Sequence, residues 1–393
     1  MKLYLNDLGL LSAAGNDGGE ILNRLQAGDR SGLIRTDDYS PGQPFYVGAV
    51  QGELPEIEDK YSVYDCRNNR LLLAALSQIK ATVDSMIKNY GVDRIGVVIG
   101  TSTSGVRNTE LALAEVARGR SKPQKFHYKQ LQFAGGADFL AHVLGLKGPA
   151  YAISTACSSS GRAFASARRL IALGLCDAVI VGGADSLCRF TVCGFEALES
   201  LSAGLCKPFG LHRDGINLSE GVSLFVLSKD EGPVLLQGIG ASSDAYHFSA
   251  PDPAGSAVIA AMEMALADAQ MRPEQIDYIN LHGTATPLND AMESKAIRQV
   301  FGEAVAVSST KGMTGHSLGA SAALELGICW LLLTQHDDQG LLIPNINDDV
   351  LDGTLPALNY VKPGQTLGKR IKQCQSNSFA FGGNNISIII SCL

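Results

Sequence analysis

The sequence predicts an α/β protein built from two similar halves, and three observations carry that prediction. Short continuous apolar runs, RIGVVIG at 94–100 and AVIVGG at 178–183, have the length and composition of strands buried on both faces of a parallel sheet. Longer stretches between such runs place apolar residues at helical spacing. The clearest lies at 65–88, with Leu71, Leu72, Leu73, Ala75, Leu76, Ile79 and Val83. The alternation of strand and helix then restarts after a charged turn, Lys229-Asp230-Glu231-Gly232-Pro233. The halves, 1–230 and 231–393, share this grammar without obvious residue identity.

Taken in order, residues 3–11 read as a first strand, and Ala14-Gly15-Asn16-Asp17 as the turn opening a helix to about 27. After the helix at 65–88 and the strand at 94–100 comes a small-residue loop, 101–105. A helix follows at 108–118, then a polar segment rich in Arg, Lys and Gln at 118–130, and another helix at 138–146. A strand at 150–154 delivers Cys157 to a helix at 158–173, and 178–183 forms the next strand. A glycine-containing region, 202–222, precedes a strand at 223–227. In the second half, strands are expected at 233–241, 277–281, 305–309 and 386–390, with helices at 256–269 and 317–334. Residues 376–385 read as a glycine-rich loop.

Bulk composition narrows the function. Of 393 residues, 46% are hydrophobic and 18% charged, with 43 glycines, which fits a large buried α/β body. A net charge of −7 argues against a nucleic-acid binder that works through phosphate contacts. The nine cysteines have an odd count and irregular spacing, with no C-x-x-C pair, so neither a disulfide framework nor a zinc site is expected. That usage predicts a reducing, cytoplasmic setting. The first residues, MKLYLNDLGLLSAAGND, do not read as a signal peptide, and no apolar run of about 18 residues exists to span a membrane.

Three distant segments carry the chemistry: Ser-Thr-Ala-Cys-Ser-Ser-Ser (154–160), Leu-His-Gly-Thr-Ala-Thr (281–286) and Lys-Gly-Met-Thr-Gly-His (311–316). Cys157 sits between a strand and a helix, where unpaired helix amides stabilise a thiolate and lower its pKa. Ser158, Ser159, Ser160, Gly161, Ala163 and Ala165 make the helix behind it small enough to pack closely. His282 lies at the C-terminal end of a predicted strand, where chemistry in parallel sheets collects. His316 lies in a glycine-flanked turn before a helix, with Lys311 five residues earlier. His127, His142, His212, His247 and His336 lack such settings and read as structural, as do Cys66, Cys176, Cys188, Cys193, Cys329 and Cys392.

The order Cys, His-Gly-Thr-x-Thr, Lys-x-x-x-x-His resembles the elongating β-ketoacyl-(acyl carrier protein) synthases, condensing enzymes of the thiolase superfamily. The resemblance runs from about Leu5 to the C-terminus. It implies the thiolase fold, two similar halves in a five-layered α/β/α/β/α body, the first half bringing the cysteine and the second the histidines and lysine. It implies that Cys157 carries an acyl chain as a thioester and that Thr284 and Thr286 contact the phosphopantetheine arm of an acyl carrier protein. Two neutral imidazoles, His282 and His316, then stabilise the enolate left by decarboxylation of a malonyl thioester. Lys311 keeps His316 neutral and oriented, and Glu325 completes a Lys–Glu pair. The backbone amides of Cys157 and Phe381 face the tetrahedral oxyanion, and Phe381 acts as a gate. Ala380 and Asn384 depart from the commoner Gly and Thr at those places and bear on gate mobility.

Asp290 and Glu293 also match family positions, and salt bridges are expected there. Arg67 and Arg70 match a carrier-docking patch for an acidic partner, with Arg118, Arg120, Lys122 and Lys125 a second basic cluster. Thr103, with Gln130 and Gln132 nearby, falls at the acyl pocket and hints at an unusual chain. The pathway is then fatty acid synthesis or a type II polyketide or aryl-polyene-like route. No cofactor or metal is expected, since substrates arrive on carrier-bound phosphopantetheine. The assembly is a homodimer, or a heterodimer with a ketosynthase-like chain-length subunit. Rival readings are a thiolase, which lacks the His-Gly-Thr-x-Thr segment; an initiating synthase, which has asparagine where His316 stands; and a non-catalytic chain-length subunit, which generally lacks the cysteine.

Overall fold

The computed structural model describes residues 1–347 and 350–392. The first half runs β1 (Tyr4–Ser12), α1 (Gly18–Gln26), β2 (Leu33–Thr36), β3 (Phe45–Gly48), α2 (Arg67–Tyr90), β4 (Ile95–Gly100), α3 (Val106–Ala117), α4 (Gly135–Leu144), β5 (Ala150–Ile153), α5 (Ser159–Ala172), β6 (Ala178–Asp185), α6 (Arg189–Ala197), β7 (Leu218–Ser219) and β8 (Gly221–Ser228). It continues with β9 (Val234–Ser243), α7 (Ser256–Ala269), β10 (Tyr278–Asn280), α8 (Pro287–Phe301), β11 (Ala306–Ser308), α9 (Lys311–Thr314), α10 (Ser321–Thr334), β12 (Asn359–Tyr360), β13 (Gln373–Ala380) and β14 (Asn384–Cys392).

Eleven strands form one sheet in the order β12-β11-β10-β13-β14-β9-β1-β8-β6-β4-β5. Its middle is joined by only two residue pairs, Tyr4 with Leu235 and Leu5 with Val234. The two sides repeat one pattern. β5, β4 and β6 are parallel, and β8 and β1 then add antiparallel. Likewise β11, β10 and β13 are parallel, and β14 and β9 add antiparallel. A separate small sheet pairs β2, β3 and β7.

Helices α5 and α10 contact strands of both half-sheets, α2 and α4 cover the outer face of the first, and α7 covers the second with α8 against it. The result is the expected five-layered α/β/α/β/α body. Sequence explains the placement. α10, SAALELGICWLLLT, is apolar nearly all round and is buried at the centre. α2 keeps one buried face through Leu72, Ala75, Ile79 and Val83 and faces solvent on the other. β4, β6 and β8 are buried along their whole length, as continuous apolar strands require. Phe164 of α5 meets Phe225 of β8 edge-on at 5.3 Å in the central core.

Several expectations are corrected. Residues 376–380 belong to strand β13, not a loop; the turn is only Phe381–Gly383. QCQSNSFA carries no hydrophobic strand pattern because it is polar, yet its side chains are buried. α6 and α8 were not read as helices; α8 buries Asn289, Asp290, Glu293 and Ser294, so its pattern is not amphipathic. The helix expected at 317–334 is interrupted. A 3-10 turn, Leu318–Ala320, precedes α10, because Leu318 adopts a left-handed φ of 51° that no α-helix tolerates. Among the described residues no helix is long and apolar enough to cross a membrane.

Candidate active site

Cys157 lies on the turn from β5 to α5, two residues before the helix begins. The turn is held by its own hydroxyls. Ser159 Oγ accepts the Thr155 amide at 2.8 Å and donates to the Ala156 carbonyl. Ala156 sits at a φ of 50°, which aims the next side chain off the helix axis. The start of α5 rests directly on β4: a Cβ on Gly100 would lie 2.2 Å from the Ser160 amide nitrogen, so only glycine fits there.

His282 follows β10, and its loop is fixed through the backbone. Glu293 of α8 accepts the amides of His282 and Gly283, each at 2.7 Å. Asp290 accepts the amides of Phe209 at 2.7 Å and Ala285 at 3.2 Å. The salt bridges expected for these two carboxylates are therefore corrected: both hold backbone amides instead. Burial pushes Asp290 up to about 6 and Glu293 up to about 8, against the amides that each carboxylate accepts.

His316 is anchored at both backbone ends, donating its amide to Asn217 at 2.7 Å and accepting from Ser219 at 2.9 Å. Its Nδ1 accepts the Leu318 amide at 3.3 Å, so the neutral ring carries its proton on Nε2, 3.0 Å from Cys157 Sγ. Lys311 Nζ donates to the His282 carbonyl at 2.6 Å, faces His282 Nδ1 at 3.5 Å, and pairs with Glu325. A cation at Nδ1 leaves the His282 proton on Nε2 as well. The expectation that Lys311 orients His316 is corrected: it touches His282 and acts on His316 through charge alone.

The two rings stand at 86° with centroids 5.6 Å apart. Burial, then the Lys311 charge, pulls both histidines well below the usual imidazole range, so both are neutral. Burial also raises Glu325 to about 7, against the pull of Lys311. For Cys157 the expected lowered pKa is not found. Burial pushes the thiol up to about 11, against Lys311 and the amides of Phe381 and Cys157 itself. The donor atoms of Cys157, His282 and His316 lie within 4.8 Å of one another, close enough to hold a metal ion. The buried ammonium of Lys311 beside them opposes a second cation.

The three residues line a cavity of about 300 Å³ that also receives Thr284, Thr286 and Phe381. The two threonine hydroxyls are 2.9 Å apart. Phe381 opens the turn at Gly382, whose φ is 79°, and its ring packs against Phe195 at 5.6 Å, tilted by 33°. Phe195 belongs to the unread α6 and carried no sequence signal.

Other predicted residues lie elsewhere. Thr103 is buried, but it does not line this cavity; its hydroxyl donates to Asp185 at 2.8 Å and accepts the Ser186 amide. Gln130 likewise turns its amide to the Lys125 carbonyl. Arg67 grips the buried carboxylate of Glu220 with two nitrogens, and Arg70 pairs with Asp65. Their surface groove is also lined by Glu53 and Glu56, so it is not a free basic patch. Arg118 and Arg120 both pair with Glu115.

Residues 67–232 match the model described as Beta-ketoacyl synthase, N-terminal domain, and 234–347 match Beta-ketoacyl synthase, C-terminal domain. A relative, 3-oxoacyl-[acyl-carrier-protein] synthase 2 of Vibrio cholerae serotype O1, is 33% identical across 99% of this chain and 98% of its own. Among solved structures, a ketosynthase (ApeO) in complex with its chain length factor (ApeC) from Xenorhabdus doucetiae is 45% identical. It has a TM-score of 0.94 and covers 100% of this chain and 98% of that one. A type II PKS acyl-carrier protein in complex with its ketosynthase bound to the hexaketide (AntDE:AntF) is 25% identical, with a TM-score of 0.87 over all of this chain and 99% of that one.

Proposed function

The chain belongs to the β-ketoacyl synthase family, and from that premise we propose that it is an elongating condensing enzyme acting on carrier-borne thioesters. One observation carries the reading: a sulfur from residues 1–230 and two Nε2–H donors from residues 231–393 meet around one cavity.

Loading is a thioester exchange. Cys157 Sγ bonds the acyl carbon, the carrier's thioester bond breaks, and the proton of the cysteine ends on the released pantetheine thiol. A malonyl thioester then enters past Thr284 and Thr286, which line the cavity. Its carboxylate leaves as carbon dioxide. The enolate oxygen collects negative charge, which the Nε2–H groups of His282 and His316 meet; losing one such donor costs about 2.7–4 kcal/mol of barrier. The enolate carbon attacks the Cys157 thioester, the backbone amides of Cys157 and Phe381 take the oxyanion, and the sulfur departs as a thiolate that takes a proton from solvent to restore the thiol. The product is a β-ketoacyl thioester two carbons longer, on the malonyl carrier.

No cofactor enters these steps, since the side chains and the carrier's own arm supply every group. Neutral rings suit this work, because a donor must not give up its proton to the enolate or to solvent. The partner is an acyl carrier protein, as in the AntDE:AntF complex. The 45% identity to a ketosynthase that pairs with a chain length factor favours a heterodimer over a homodimer. α3 supports such a partner, because it exposes Leu111, Leu113 and Val116 and buries only Ala112. The pathway is fatty acid or type II polyketide assembly, in the cytoplasm. Intact-mass analysis tests the reading. Incubation with acyl-carrier protein should add one acyl group at Cys157, and malonyl carrier should remove it with release of carbon dioxide. A protein that takes up no acyl group contradicts it.

A further inference from the structure

Asp185 ends β6 with no exposed surface, and among the described residues its side chain accepts hydrogen bonds from backbone amides and hydroxyls. Its Oδ1 accepts the Thr101 hydroxyl at 2.6 Å and the amides of Ser102 and Thr103 at 2.8 Å each. It also accepts the Thr103 hydroxyl at 2.8 Å. Its Oδ2 accepts the Gly319 amide at 2.6 Å and reaches the Ser102 amide at 3.0 Å. One buried carboxylate thus ties the loop after β4 to the turn after His316.

Both ends lead to reacting groups. Ser102 Oγ donates to the carbonyl of Ala156, the strained residue before Cys157, at 3.3 Å. Gly319 follows Leu318, whose amide donates to His316 Nδ1 and whose left-handed backbone sets the angle between that amide and the Gly319 amide held by Asp185. A Cβ on Gly319 would lie 2.8 Å from Asp185 Oδ2, so the contact leaves no room for slack. The cost of burying this carboxylate is met by its many donors, and those donors belong to the two turns that bring sulfur and imidazole to 3.0 Å.

We propose that Asp185 is a positioning residue: through Gly319 it holds Leu318 in the strained conformation that keeps the His316 proton on Nε2. The inference rests on the proposed condensing activity. Asp185→Asn changes the Oδ2 side of this contact, where the Gly319 amide donates at 2.6 Å and the Ser102 amide more weakly at 3.0 Å. The amides of Ser102 and Thr103 demand an oxygen at Oδ1, so the new NH2 group faces the Gly319 N–H, and two donors oppose each other.

The test uses the full-length protein, wild type and Asp185→Asn, with carbon dioxide release from malonyl carrier as the assay. Acyl loading on Cys157 counts competent sites. The expected result is a fall in kcat per loaded site of about ten- to hundredfold with KM unchanged. In 15N-histidine spectra, His316 should move from the Nε2–H pattern toward a mixture. A kcat per loaded site within about twofold of wild type, with an unchanged nitrogen pattern, overturns the proposal. So does a loss of activity that merely follows a loss of loading, the mark of a role confined to folding. Gly319→Ala presses the same bond from the other side; it should give the same split, and wild-type turnover there also overturns the proposal. Wild-type protein that releases no carbon dioxide contradicts the condensing reading, and the nitrogen pattern, which needs no turnover, then decides the role of Asp185.

Discussion

The thiol of Cys157 sits where two effects oppose. A helix N-terminus, Lys311 and two amides favour the thiolate, while complete burial disfavours it and wins, raising the pKa to about 11. Alkylation of substrate-free protein by iodoacetamide, read at Cys157 by peptide mass, should therefore quicken roughly tenfold per pH unit between 7 and 10. A rate already flat at pH 8 contradicts this. The histidines behave in the opposite sense. Their pKa values lie well below the ordinary 6.5, so they stay neutral where free imidazole would protonate. The pH profile of decarboxylation should show no inflection near 6.5. Linkage has the same origin. The unfolded chain takes protons at these rings below about 6.5 and the folded chain does not, so their share of stability is full above that value and lost as pH falls below it. His282→Ala should keep acyl loading and lose about 10²–10³-fold in decarboxylation. The convergence of Cys157, His282, His316 and Lys311 was legible because each sits in a short motif, and Glu325 was reached only through the family resemblance. Asp185 and Phe195 were not legible, since each acts through backbone amides or ring contact with residues far away in sequence; Glu293 was singled out, but its role was not, because a carboxylate that holds backbone amides reads in sequence like one that pairs with a cation.

Elements reach the site by close approach. Gly100→Ala drives a methyl into the Ser160 amide and should shift α5 off β4. The cost is about 1–3 kcal/mol by urea unfolding, with acyl loading slowed because Cys157 rides on that helix. Arg67→Glu belongs to the same scale. It faces a second carboxylate against Glu220, which is 1% exposed, while Arg67 itself is 38% exposed. A loss of about 1–3 kcal/mol by urea unfolding is expected, below the full cost of a buried pair because the guanidinium is partly solvated, and unchanged stability contradicts it. Apolar elements such as β4, β6 and α10 were readable by period and length. Strand β13 and helix α8 were not, because they bury polar side chains that serve the site, and burial of polar groups leaves no hydrophobic pattern.

At the scale of the molecule, two half-sheets of matching topology fold around α5 and α10 so that turns from each half open on one cavity. The five-layered body was legible from alternating strands and helices together with the family motifs. The join at β1 and β9 was not, because two residue pairs leave no separate trace in sequence. Sedimentation of the chain mixed with a chain-length subunit should give a one-to-one heterodimer, and exposed Leu113 and Val116, one turn apart on α3, predict that Leu113→Asp weakens it. The most direct test of the central claim is the intact mass of wild-type and Cys157→Ala protein after incubation with acyl-carrier protein. Wild type should gain one acyl group, lost on addition of malonyl carrier, and the variant should gain none while remaining folded; acyl mass accumulating on the variant would contradict the account.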